Sequence, residues 1–416
     1  CATHEAMAHF KSGLALIDEL PSDAERVRLE LELQIGLGAA ACAAQGYASR
    51  EGTVAYQRAM ALCSSHEGSP DMFRAIWGLW ARANSRTGYA DALVLAQRLL
   101  HIAGQSGNPV QVQQAHFAVG DTLYWQGEFA AAHTHLAQVG TYYQTDHHPR
   151  HVAEYGEDAG VTSASYASWA LWFLGFPDQA LNASAQALAL ARDLGHPYSL
   201  AYALTFAAIL RCRMRQPEQA LALADETSNL AAEHGFPLWQ IGATLSCGWA
   251  LAMQKHADGV ESLRLCVEAT RTAMGGVTLI VLEPLANASV SLGLFDQALE
   301  VSDEALALGK SIGDHQAEAE LHRLKGEALL GTRNARQDQA AACFEKALSI
   351  SRKQKAKSLE LRAGMSMARL WRAQGKPDEA RILLAGIHDW FTEGMDTPDL
   401  RSAKDLLVAL TEPVKN

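Results

Sequence analysis

No stretch of this 416-residue chain approaches the ~20 successive apolar residues that a membrane-crossing helix requires. The best candidate, VTLIVLEPLANASVSLGLF, is interrupted by Glu283 and Pro284, so no spanning segment is expected. Basic residues are outnumbered, 35 Lys and Arg against 46 Asp and Glu, for a net charge of -11. Nucleic-acid binding leans on clustered Lys and Arg that neutralise phosphates, which disfavours that class of partner. Cysteine is sparse: seven residues, at 1, 42, 63, 212, 247, 266 and 343, with no CxxC pair. They read as small core residues of a protein kept in a reducing cytoplasm. The chain opens on Cys1 and shows no charged-then-apolar leader, so we expect a piece of a longer protein and not a secreted precursor.

Signatures of catalysis are missing too. There is no Walker A loop: RLKGEA lacks both the first glycine and the Ser or Thr after the lysine. HEAMAH places His4 and His9 five residues apart, whereas HExxH needs four to put both on one helix face. No GxSxG elbow occurs. The expectation is a chain that is not an enzyme and holds neither cofactor nor metal.

What is present is repetition. GFPDQALNASAQALALARDLGHP, RQPEQALALADETSNLAAEHGFP and GLFDQALEVSDEALALGKSIGDH align residue by residue. The anchoring small residue falls at Ala92, Ala132, Ala180, Ala220, Val260, Ala298, Ala340 and Ala380. A second series, Gly120, Ser168, Ala208, Gly248, Ala286, Gly326 and Ala368, marks where the two helices of a hairpin cross with their backbones close. A spacing near 40 residues means stacked helical hairpins. Strand alternation is nearly absent, and with 49% hydrophobic and 19% charged residues there is ample material for a core. Prolines at helix starts and glycines at helix ends, as in LGHP, HGFP and SGNP, supply the punctuation. The expected fold is all-α: a right-handed α-solenoid of about nine to ten hairpins. Residues 1–416 form one superhelix, more divergent over 1–110, with a non-repeat loop at 141–163.

The pattern of Gly or Ala, then an aromatic, then Ala, with Ala again seven residues on, resembles the tetratricopeptide repeat, lengthened as in the bacterial maltose-regulator type of signalling ATPase. AEAELHRLKGEALL, AKSLELRAGMSMARLWRAQGK and WFTEGMDTPDLRSAKDLL look like the C-terminal region of bacterial multidomain regulators that carry a nucleotide cyclase or Ser/Thr kinase domain and an AAA or STAND-type ATPase. The resemblance implies a non-catalytic, cytoplasmic regulatory domain that binds a protein or peptide, or the upstream domains of its own chain, in the superhelical groove. The alternative is a small-molecule sensor that closes around its ligand.

In tetratricopeptide proteins the groove is lined at fixed positions around the small residue. Carried over, that register selects Gln114, Asp121, Tyr124 and Trp125, then Trp169 and Trp172, then Tyr202 and Arg213, then Trp249. Farther along it selects Asn287 and Glu327, together with Glu283, Arg323, Arg362, Arg369 and Arg372, a wall expected to be basic. Both small-residue series take one step of 48 residues, across GTYYQTDHHPRHVAEYGEDAGVTSAS. There, His147, His148 and His151 read as solvated histidines of a surface insertion. YGEDAGV matches a Gly-x-Asp-x-Gly-Val motif of the resembled family. We expect it to fold over the aromatic end of the groove with Tyr155 and Asp158 in the wall.

Overall fold

The computed structural model describes residues 2–17, 19–21, 23–45, 49–63, 70–86, 88–274 and 279–411. Among them are 21 α-helices and no strand. Successive helices pack as antiparallel hairpins, and the hairpins stack into the expected all-α solenoid. The punctuation works as read. Helices Pro109–Trp125, Pro177–Leu194, Pro197–Arg213, Pro217–His234, Pro237–Met253 and Pro377–His388 each start on proline, where the missing N–H has no intrahelical partner to lose. Gly175, Gly195, Gly235 and Gly313 end helices in the left-handed conformation.

Both small-residue series are buried. Ala92, Ala132, Ala180, Ala220, Ala298, Ala340 and Ala380 are fully inaccessible, as are Ser168, Ala208, Ala286 and Ala368. What approaches them differs from the expectation of backbone contact. At Gly326 the intruder is a side chain: an added Cβ would lie 2.8 Å from Cδ1 of Phe344 and closer still to Cε1. At Gly120 the neighbour is Leu136, 2.7 Å away. True backbone approach occurs at Gly248, where a Cβ would meet the Gly259 carbonyl at 3.0 Å.

The two helices of a hairpin are buried unequally. Pro197–Arg213 buries 12 of its 17 residues, whereas Pro217–His234 buries 4 of 18. A first helix that faced an open groove would show water one face. These do not, because the superhelix winds until its C-terminal hairpins press back on its middle. His315 N donates to the Trp125 carbonyl at 2.9 Å, and Ser358 Oγ to the Trp172 carbonyl at 2.5 Å. The Arg362 guanidinium donates to the Arg213 carbonyl. Glu393 Oε1 accepts the Asp178 and Gln179 N–H groups at 2.9 and 3.1 Å, capping a helix more than 200 residues earlier. The channel is plugged.

The long step at 141–163 is not a bare loop. It holds a 3-10 turn, Thr145–His147, and the helix His148–Tyr155, so the extra residues are a short helical plug between two hairpins.

Candidate functional site: an acidic, aromatic cavity

Inside the closed superhelix is a cavity of about 210 Å³. Its walls come from helices as far apart as Pro70–Arg86 and Leu279–Ser291. Aromatic side chains dominate: Trp77, Trp80, Tyr89, Phe117, Trp125, Tyr166, Trp169, Tyr198, Tyr202, Phe206 and Trp239. Three carboxylates share the lining, Asp121, Glu157 and Asp314, and among the described residues no Lys, Arg or His does.

Each carboxylate is placed by local chemistry. Asp121 follows Gly120 on Pro109–Trp125, and its Oδ2 accepts from Asn84 Nδ2 at 2.9 Å. Its Oδ1 is buried without a hydrogen-bond partner, although Tyr166 and Trp125 lie beside it. Glu157 sits in the three-residue turn between His148–Tyr155 and Ala159–Leu174, made possible by Gly156 at φ 81°. Asp314 follows the left-handed Gly313, and its Oδ1 accepts the Gln316 N–H at 3.1 Å. Desolvation raises all three. Asp121 is pushed up to about 7 and Asp314 to about 7. Glu157 reaches about 8, with Asp121 and Asp158 adding like-charge repulsion.

A smaller chamber of about 40 Å³ adjoins it, lined by Trp172, Phe173, Arg213, Arg215, Trp249, Glu283, Asn287, Glu320 and Arg362 among others. Here Glu320 and, outside this lining, Asp399 bring their own cations, while burial raises Glu283 to about 7 against Arg213, Arg362 and Arg323. Burial alone would raise the Glu320 carboxyl, yet Arg323, bonded at 2.7 and 2.8 Å, and Arg362 hold it at about 2. Asp399 is likewise held below the ordinary carboxylate range by Arg215 and Arg362 against the opposing effect of burial. The Arg213 guanidinium lies 4.9 Å over Trp169 and 4.7 Å over Phe173, and Arg362 4.9 Å over Trp172. This guanidinium-rich chamber is the latch of the closure. The wall read as basic is therefore not a free cationic surface: Arg323 and Arg362 are buried in ion pairs, and of the pair Arg369 and Arg372 only Arg369 is fully exposed.

The structure divides the sequence-derived site residues into three groups. Asp121, Trp125, Trp169 and Tyr202 line the acidic cavity. Trp172, Arg213, Trp249 and Asn287 line the latch, where Trp249 Nε1 donates to Asn287 Oδ1 at 3.2 Å. Gln114, Tyr124, Tyr155, Asp158 and Glu327 line neither. Gln114 is buried and bonded to Trp77 and His151. Tyr124 is fully buried, edge-on to Trp125, Phe129 and Tyr166. Glu327 accepts from Ser366 Oγ at 2.5 Å.

The segment YGEDAGV does reach the cavity, but through a residue not singled out. Tyr155 turns away to pack at 5.3 Å on Trp77 and 6.2 Å on Phe73. Asp158 is the N-cap of Ala159–Leu174: its Oδ1 accepts the Val161 N–H at 3.0 Å, and its Oδ2 binds the Tyr143 hydroxyl and His148 Nδ1 at 2.9 Å each. Glu157 between them faces the lining. The reading of solvated histidines fails for His151, which is fully buried between Gln113 Oε1 at 2.6 Å and Gln114 Nε2 at 2.9 Å; burial pushes it down to about 4. Among the described residues no group of three or more His, Cys, Asp or Glu has metal-holding geometry. Asp314 escaped the sequence reading because it lies in the turn after a second helix, a position no groove register covers. Trp77, Trp80 and Trp239 escaped it for want of a register over 1–110 and because Trp239 stands nine residues before Gly248.

No family model matches the sequence. An uncharacterized protein of Rhizobium meliloti (strain 1021) is 24% identical over 305 residues, 72% of this chain and 29% of that protein. The chain therefore spans under a third of the relative it matches. The solved structure of a Rap protein complexed with competence and sporulation factor covers 93% of this chain and 100% of its own, at 13% identity and a TM-score of 0.58. The Cut9–Hcn1 hetero-tetramer of the APC/C covers 98% and 68%, at 14% identity and a TM-score of 0.52. These likenesses are of fold: the chain is a tetratricopeptide-like helical-repeat solenoid. Among the described residues no helix is long and apolar enough to cross a membrane.

Proposed function

We propose that this chain is a non-catalytic regulatory domain that senses a ligand held in the acidic cavity, and that it serves a larger bacterial signalling protein of the ATPase or cyclase kind. The observation that carries the reading is the closure of the superhelix over an apolar cavity with a few convergent polar groups, the usual form of a small-ligand site. The C-terminal hairpins cover the inner wall at Trp125, Trp172 and Arg213, which leaves an extended partner no continuous groove along its length. A partner protein, or the upstream domains of the same chain, then meets the outer surface, and ligand binding acts by favouring the closed superhelix over any more open one. The Rap structure, complexed with competence and sporulation factor, supports the reading only to the extent that a solenoid of this fold can hold a bound factor.

The test is a cavity-filling variant. Thr205 lines the cavity and is buried; Thr205→Phe should leave the helical circular dichroism intact while abolishing ligand-dependent control of the full-length protein's output. Wild-type regulation in a folded Thr205→Phe protein would remove the cavity from the function.

A further inference from the structure

The smaller chamber mixes guanidinium groups with its carboxylates, the described lining of the larger one does not, and the contrast identifies what the larger one lacks. Around the latch Glu320 and, outside its lining, Asp399 are ion-paired, while Glu283 feels Arg213, Arg362 and Arg323 and is still raised to about 7 by burial. Asp399 sits 2.8 Å from Arg362 and 3.2 Å from Arg215, and Glu320 sits 2.7 Å from Arg323. In the cavity, Asp121, Glu157 and Asp314 have no guanidinium among the described residues of the lining. Burying a carboxylate without a counter-charge is costly, and a protein that had only to fold would place a lysine or an apolar residue there. Asp121 is 4% exposed and keeps one oxygen with no hydrogen-bond partner. Trp239, 5% exposed on the same lining, leaves its indole N–H equally unpartnered.

The remaining surface is aromatic. Within the lining Trp77 packs on Trp80, Tyr89 stacks on Trp125, and Trp239 meets Tyr198 and Tyr202 edge-on. Aromatic faces attract cations through the ring quadrupole, most strongly in a site shielded from water. An acid for the charge, rings for the body and one spare N–H donor define a complementary molecule.

We propose that the ligand of this cavity is an organic cation: an ammonium group paired with the Asp121 carboxylate, carried on an apolar or aromatic body among the tryptophans and tyrosines, with an acceptor atom for Trp239. The proposal rests on the cavity being the sensing site and adds its chemical class. Binding supplies the counter-charge that the fold omits. The raised carboxyls agree: without ligand they hold their protons near neutrality, and an incoming ammonium exchanges one proton for its own charge. Facing these acids are Asn84 at Asp121, Asp158 near Glu157, and His315 and Arg213 near Asp314; among the described residues these two basic groups stand outside the lining.

The test compares three molecules of one shape: 2-phenylethylammonium, 2-phenylethanol and phenylacetate, titrated into the protein at pH 8 by calorimetry and followed by quenching of the lining tryptophans. The ammonium should bind at least tenfold more tightly than the alcohol, and phenylacetate not at all. Asp121→Asn should reduce ammonium affinity at least tenfold and leave the alcohol unchanged. Equal binding of ammonium and alcohol, or no effect of Asp121→Asn, would overturn the cation assignment. If the alcohol binds and is lost in Thr205→Phe, the cavity remains the sensing site while the cation class falls. If none of the three binds, the assignment to an aryl-alkyl ammonium falls as well.

Discussion

Gly326 lies under the ring of Phe344, and the hydrogen at position 326 is what lets the two helices of that hairpin close. The glycine stands in the middle of Glu318–Gly331, where it costs roughly 1 kcal/mol of helix propensity relative to alanine. Phe344, fully buried, uses the vacated space. Gly326→Leu should therefore overpack the crossing and cost roughly 1 to 3 kcal/mol in urea denaturation. Lys346→Leu on the exposed face of the partner helix is the control and should stay within ~0.5 kcal/mol. Shortening the ring in Gly326→Leu/Phe344→Ala should recover part of the loss, and strict additivity of the two changes would show that they do not meet.

The cavity acids make stability fall as pH rises. In the unfolded chain Asp121 loses its proton near the ordinary aspartate value of about 4; in the folded chain it keeps it to about 7. Between those values the folded state binds more protons, so each step up in pH favours unfolding, and the full penalty is present above about 7. Below about 4 both states are protonated and the effect vanishes. Asp121→Asn removes this dependence. Relative to wild type the variant should gain on the order of 2 kcal/mol on going from pH 5 to pH 8, measured as paired thermal melts. His151 acts in the opposite sense, since its folded value near 4 withholds a proton that the unfolded chain takes up below ~6.5, but it is common to both proteins and cancels. A constant difference across the range would show that Asp121 is not a buried protonated acid.

Asp158 belongs to the scaffold. Its Oδ1 satisfies the Val161 N–H at the start of Ala159–Leu174, and its Oδ2 ties Tyr143 and His148 to the same point. Asp158→Ala should cost about 1 to 3 kcal/mol through the lost cap and the stranded partners. Asp158→Asn, which keeps the cap acceptor, should cost less. Stoichiometric zinc should leave the melting temperature of the wild-type protein unchanged, because a metal bound to the folded state would raise it and His148 and His151 already spend ring nitrogens on Asp158 and on Gln113 and Gln114.

The difference between Asp158 and its neighbour shows where sequence reasoning stops. Local rules placed Pro177, Pro197 and Gly195 at helix ends because caps depend on residues a few positions apart, and the small-residue series found Ala132, Ala220 and Gly326 because a hairpin repeats its own crossing. The same rules pointed to the aromatic end of the inner wall, and Asp121, Trp125, Trp169 and Tyr202 do meet there. Which face of YGEDAGV turns inward depends on a three-residue turn, and one residue of slip exchanges Glu157 for Asp158. Asp314 joins Asp121 only because His315 N reaches the Trp125 carbonyl across some 190 residues of chain, a consequence of superhelical closure that no repeat unit encodes by itself.

The contacts of that closure should differ in weight, and their order tests what holds it. At its rim, Glu393 caps Pro177–Leu194 through the Asp178 and Gln179 N–H groups, Asp178 Oδ2 returns a bond to Gly394 N at 3.0 Å, and Trp390 lies 5.5 Å from Phe176. These groups are partly in water, where a capping carboxylate contributes typically ~0.3 to 1 kcal/mol. At its centre, Arg362 binds Asp399, approaches Glu320 at 3.5 Å, donates to the Arg213 carbonyl and covers Trp172. Removing one member of a buried ion pair leaves its partner uncompensated, at a cost of roughly 3 to 5 kcal/mol, here softened because Arg215 and Arg323 still face the two acids. Urea denaturation should therefore rank Arg362→Met as the most damaging, by about 3 kcal/mol, then Glu393→Ala at about 1 or less, then the exposed Arg369→Ala within ~0.5. Hydrogen exchange should place the damage: Glu393→Ala should speed the amides of Asp178 and Gln179 alone, while Arg362→Met should also speed the Gly394 amide and the indole N–H of Trp249 in the adjoining chamber. If Glu393→Ala proves the costlier change, the closure is held at its rim, and the latch beside the cavity is packing without structural priority.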